Sequence, residues 1–196
     1  MKTGRLEAFS DGVLAIIITI MVLELKVPHG ESLATLAPLV PAFLSYVLSF
    51  LYIGIYWNNH HHMFQLCEKI TGPVLWANLH LLFWLSLYPF TTAWMDESDL
   101  ARAPTLVYGV NLLAAAIAYT ILQQLIIRGP GGAGLREAMG ADVKGKLSPL
   151  LYVAGILLVF VSPVLGLLPF VAVAVMWMVP DRRIEAYLAE HEAQRS

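Results

Sequence analysis

Long apolar runs, separated by short clusters that hold nearly all the charge, constrain this chain more than any other feature. Of its 196 residues, 58% are hydrophobic and only 13% are charged, where a soluble domain carries about 25% charged residues. Side chains distributed in this way are suited to hydrocarbon and not to water. In hydrocarbon the backbone has no solvent to bond, so only helices and closed barrels can cross. Runs of about 20 residues match the length a helix needs to span a bilayer. The expected fold class is therefore all-α, an integral membrane protein.

Four runs are clear, at residues 8–26, 36–57, 73–94 and 104–127. The region 147–179 is too long for a single crossing, since at 1.5 Å per residue it would reach about 50 Å against a core of about 30 Å. Ser162, Pro163 and Gly166 stand at its middle, so it reads as a hairpin of two short helices, about 147–161 and 164–179. Pro38, Pro41, Pro73, Pro104, Pro149 and Pro163 lie in or just before proposed first turns, where a missing N–H costs little. Trp57, Trp76, Trp94 and Trp177 lie near proposed ends, as an interfacial aromatic belt would.

Charge asymmetry bears on the count independently. With six spans and a cytoplasmic N-terminus, ten of the twelve lysines and arginines fall inside, leaving only Lys26 and Arg102 outside. Five spans would give seven against five. The positive-inside rule prefers six spans with both termini cytoplasmic. Residues 1–180 then form one membrane domain and 181–196 a short cytoplasmic tail. The Gly-rich connection 128–146 is expected to be a flexible cytoplasmic loop. Glu7 and Asp11 stand where a signal peptide has no acids, and no small-residue cleavage site follows, so the first run is expected to be retained. Cys67 is the single cysteine, which excludes an internal disulfide.

Polar groups inside a span are costly and need a reason. The first run carries the densest set: Arg5, Glu7, Ser10, Asp11, Thr19 and Glu24. On a helical wheel Phe9, Gly12, Val13, Ile16, Ile20, Leu23 and Val27 share one stripe, Thr19 flanks it, and Asp11 points nearly the opposite way. Such a stripe fits either a packed helix face or the hydrophobic wall of a pore; periodicity does not separate the two. The second run ends in Trp57, Asn58, Asn59 and three histidines, 60–62. Consecutive histidines diverge by about 100° on a helix, so they do not converge on one metal. They are better suited to hydrogen-bond Ser10 and Asp11, or Asn78, His80 and Ser86 on the third run.

No phosphate-binding loop, nucleophile elbow or H-E-x-x-H motif is present, and no basic stripe suggests nucleic acid. Neither an enzyme nor a cofactor is expected. Val107, Tyr108, Gly109 and Val110 lack the flanking Thr and Gly of a carbonyl-lined potassium filter and sit within a long apolar run.

Arg5, then Phe9-Ser10-Asp11, followed by Gly12 through Thr19, resembles the signature of the transmembrane protein 175 family, lysosomal and prokaryotic potassium channels without the usual filter. Trp57 with His60 and His61, and Asn78 with Ser86, Pro89 and Phe90, agree with it. The resemblance implies a homotetramer of six-helix subunits in a lipid bilayer, the first helix of each lining a central pore. It implies Ile16 as the constriction, Ile20 and Leu23 as further apolar rings, and Thr19 as a polar layer. Arg5, Phe9, Ser10, Asp11, Trp57, His60, His61 and Asn78 would form a network that holds the pore helix. The permeant ion would be potassium, passing through hydrocarbon with modest preference over sodium. A proton-permeable channel or a small secondary transporter of the inner membrane are the alternatives. A prokaryotic cell membrane is the expected location.

Overall fold

The computed structural model describes residues 3–140 and 142–179, and there is no strand among the described residues. In order, α1 covers Thr3–Leu23, α2 Val40–Gln65, α3 Gly72–Ser86, α4 Tyr88–Glu97, α5 Arg102–Arg128, α6 Ala133–Met139, α7 Val143–Val159 and α8 Pro163–Met178. A 3-10 turn at Leu33–Leu39 leads into α2. Thr3–Leu23, Leu33–Gln65 and Arg102–Arg128 are long and apolar enough to cross a bilayer, whereas the apolar α8 has only 16 residues. The tail expected from residue 181 lies outside the described residues.

Several boundaries depart from the expected ones, each for a local reason. α2 continues past Trp57 and through the three histidines to Gln65. Polarity does not stop a helix; the stop signals, Gly72 and Pro73, come only later. The single helix expected at 73–94 is kinked between α3 and α4. Pro89 has no N–H to offer the Leu85 carbonyl, and its ring crowds that carbonyl. The Leu87 amide bonds back to the Trp84 carbonyl at 3.3 Å, a tightened turn. α7 starts earlier than expected because Asp142 caps it, its Oδ1 accepting from the Gly145 amide at 3.2 Å. Pro149 is therefore inside α7 and not in its first turn.

The 128–146 connection is also more ordered than its glycines suggest. It contains α6, whose Leu135 and Ala138 are buried, and Arg136 Nη2 donates to the Ile127 carbonyl at 3.2 Å. Gly131, at φ +81°, lies so close to the Glu68 side chain that a Cβ would collide with it. Here glycine serves close approach as well as turning.

The core between α2, α4, α5, α7 and α8 is aromatic. Tyr52, Tyr88, Tyr108, Tyr152 and Phe170 form a chain of tilted and edge-on rings, with centroids 6.2–6.4 Å apart between neighbours. Phenol hydroxyls in such a place need partners. Tyr52 Oη donates to the Phe170 carbonyl at 2.6 Å, and Tyr108 Oη meets Ser49 Oγ at 3.0 Å. Ser49 Oγ also meets Thr92 Oγ1 at 2.7 Å. Small residues let the helices close around this chain. The Phe170 ring lies directly on Gly109 of α5 and Gly155 of α7, and Gly166 lies against Val159 and the Gly155 carbonyl.

Gly155→Ala should place a methyl group inside the van der Waals envelope of Phe170. Overpacking of this kind costs about 1–3 kcal/mol, a fall of roughly 2–12 °C in unfolding temperature for a chain of this size. Gly54→Ala on α2, where a Cβ meets open space, should be neutral or stabilising. Thermal unfolding of the two purified variants in one detergent tests the contrast.

Candidate pore helix and its support

Every third or fourth residue of α1 is withdrawn into the subunit. Leu6, Ser10, Leu14, Ile17 and Met21 are buried against α2, α3 and α4. The opposite stripe is exposed: Phe9 is 52% exposed, Ile16 59%, Ile20 41% and Leu23 79%. The helix ends at Leu23, so Val27 lies beyond it and does not extend the stripe as a helical residue. Thr19 is exposed on the flank, and its hydroxyl donates back to the Ile16 and Ala15 carbonyls at 2.9 and 3.1 Å. That bond uses the hydroxyl proton and leaves oxygen lone pairs directed outward.

The buried face is anchored by a chain of hydrogen bonds across three helices. Ser10 Oγ, fully buried, donates to the Leu6 carbonyl at 2.9 Å. It accepts from Asn78 Nδ2 of α3 at 3.0 Å. Asn78 Oδ1 in turn meets His60 Nε2 of α2 at 2.8 Å. Because the amide nitrogen is committed to Ser10, the amide oxygen is the acceptor and the imidazole donates from Nε2. A second tie joins the same helices nearer the surface. Trp57 Nε1 donates to Asp11 Oδ1 at 3.0 Å, and His61 stacks on Trp57 with centroids 6.5 Å apart and planes 17° off parallel.

The structure thus brings together Ser10, Asp11, Trp57, His60, His61 and Asn78. Arg5 and Phe9 point away from that network, and Arg5 has no ion pair among the described residues. His61 and His62 both turn to Gln65, at 3.0 and 3.5 Å, so the three histidines share no focus for a metal. His80 accepts from Trp84 Nε1 at 2.9 Å and Ser86 donates to the Phe83 carbonyl at 2.7 Å, each within its own helix. Sequence reasoning missed Gln65; its i, i+4 spacing from His61 was the available signal. It also missed the open groove of about 720 Å³ lined by Ile16 and Ile20 of α1, by Glu24 just after it, and by Pro89, Phe90 and Trp94 of α4.

Asn78→Leu should leave the buried His60 Nε2–H without an acceptor, a loss of about 1–3 kcal/mol. Trp57→Phe removes one bond at the surface and should lose about 0.5–1.5 kcal/mol. Thermal unfolding of both variants checks the order, and equal losses would deny the buried chain its anchoring role.

Residues 5–89, which contain these features, match the family described as endosomal/lysosomal potassium channel TMEM175. A protein of Chryseobacterium sp. (strain P1-3), named a potassium channel, is 55% identical over 192 residues, covering 97% of this chain and 100% of that protein. The crystal structure of a lysosomal potassium-selective channel TMEM175 homolog from Chamaesiphon minutus is similar, with a TM-score of 0.80 at 33% identity over 91% of this chain and 97% of that one. The human endosomal/lysosomal proton channel TMEM175 is 34% identical over 116 residues, which is 53% of this chain and 23% of the human protein. An apolar helical fold shared with that channel structure, and identity above one half along a full-length relative, establish that this integral membrane protein belongs to the TMEM175 family of channels.

Proposed function

We propose that the protein is a passive potassium channel in which four copies set α1 around a common axis. The observation that carries this is the division of α1 into two faces. One is pinned inside the subunit by Ser10, while Ile16, Ile20 and Leu23 are left outside it. An apolar stripe that its own subunit does not cover has to meet lipid, another subunit or a water path. Relatives named as potassium channels favour the last. Six crossings with both ends cytoplasmic, in a prokaryotic cell membrane, accord with the charge asymmetry and the bacterial relatives.

A ring of four Ile16 side chains is then the constriction, with Ile20 and Leu23 as further apolar rings and Thr19 as the neighbouring polar layer. When narrow, such a ring excludes water, and potassium finds no oxygen to replace its hydration shell. A small rotation of α1 would widen it and admit a partly hydrated ion. Selectivity over sodium is modest, because potassium loses water more readily but no carbonyl cage rewards it. The network of Ser10, Asp11, Trp57, His60, His61 and Asn78 keeps α1 in register. The channel needs no cofactor, and its partners are the bilayer and its own copies.

Eukaryotic relatives named as proton channels supply a second reading, proton permeation along the same axis. Reconstituted liposomes with opposed potassium and proton gradients distinguish the two, and dissipative flux separates both from a coupled transporter. Ile16→Asn should change potassium conductance several-fold and reduce its discrimination against sodium. Unaltered currents would remove Ile16 from the path.

A further inference from the structure

α1 ends against the usual electrostatic preference. The C-terminal end of a helix carries partial negative charge and favours cations, yet the last turn of α1 has no basic residue and is followed at once by Glu24. Glu24 is exposed and lines the same groove as Ile16 and Ile20, four residues after Ile20 and just past the end of α1. The other carboxylate in that groove, Glu97, is held by Lys26 at 3.1 Å, and this is the one salt bridge among the described residues. Asp96, beside them, is partly buried, and burial holds its carboxyl above the usual carboxylate range despite the nearby Lys26. Glu24 is therefore the unpaired charge on the line defined by the apolar stripe.

We infer that Glu24 is a conductance-determining residue: on the four-fold pore proposed above, it forms a ring of carboxylates at the outer mouth, where it concentrates potassium ahead of the hydrocarbon constriction. It does so through space, as a fixed charge aligned with the negative ends of four helices, and does not strip the ion of water. Charges lining a narrow mouth raise the local concentration of counter-ions, and the effect fades as salt screens it. Position also fits the order of events, since the field acts on a hydrated ion before Ile20 and Ile16 act on its shell. An acid placed where it weakens its own helix needs such a reason.

The test is single-channel recording of the purified full-length protein in neutral-lipid bilayers at 0.1 M and 1 M potassium, paired with thermal unfolding. Four charges about 10 Å from the axis, screened at 0.1 M, should sustain an about two- to threefold enrichment. Glu24→Gln should lower conductance by that factor at 0.1 M and match the wild type at 1 M, where the screening length is about 3 Å. Glu24→Lys should lower it further and make the current rectify. The potassium-to-sodium ratio should stay constant, and the unfolding temperature should hold or rise, opposite to the result of losing a structural contact. Equal conductance at 0.1 M, a deficit that persists at 1 M, or a loss of stability in step with conductance would each overturn the assignment while leaving the channel intact. Silent wild-type bilayers would overturn the channel reading itself.

Discussion

Inside an apolar bundle a polar side chain has only other protein groups to bond, and each one must be given a partner or its burial is uncompensated. In this protein the seam that bears on α1 is the one where His60, Asn78 and Ser10 link α2, α3 and α1 in one direction of donation. Dispersion forces hold helices together but have less directional preference than hydrogen bonds, which here are 2.8–3.0 Å long. The seam therefore fixes how far α1 is turned about its own axis, and that rotation decides which residues face outward.

The two halves of the subunit use different means of cohesion. Around α1 an apolar face of Leu6, Leu14, Ile17 and Met21 is combined with the buried hydrogen bonds of Ser10. Among α5, α7 and α8 the helices are brought close by Gly109, Gly155 and Gly166, and the space is filled by Phe170 and four tyrosines. The second arrangement resists deformation, since a ring lying on two glycines has no room to move. Beside that rigid aromatic block, α1 is held by its buried apolar face and by the polar seam.

Much of this was legible from residues alone, for reasons that can be stated. The faces of α1 follow from a period of 3.6, so the stripe of Ile16, Ile20 and Leu23 could be expected, as could a histidine bonded to Asn78; that Asn78 and not a histidine reaches Ser10 could not. The break at Ser162 and Pro163 followed from length. What could not be read was geometry that depends on distant chain segments. Tyr52, Tyr88, Tyr108, Tyr152 and Phe170 are scattered over more than a hundred positions, and nothing local marks them as neighbours. The end of α2 was misplaced because polar composition suggests a boundary where backbone propensity gives none. The capping role of Asp142 depends on a left-handed conformation, φ 40°, that asparagine and aspartate adopt more readily than most but do not announce.

The exposed stripe of α1 makes almost no contribution to the cohesion of its own subunit. Substitutions at Ile16, Ile20 or Leu23 remove few intramolecular contacts, whereas those at Leu14 or Ile17, one step around the same helix, open cavities in the core. The outward stripe can thus vary without first rescuing the fold. On the pore proposed above, a helix divided in this way separates the residues that hold the subunit from those that meet the ion, a physical route by which relatives of one architecture come to favour different ions.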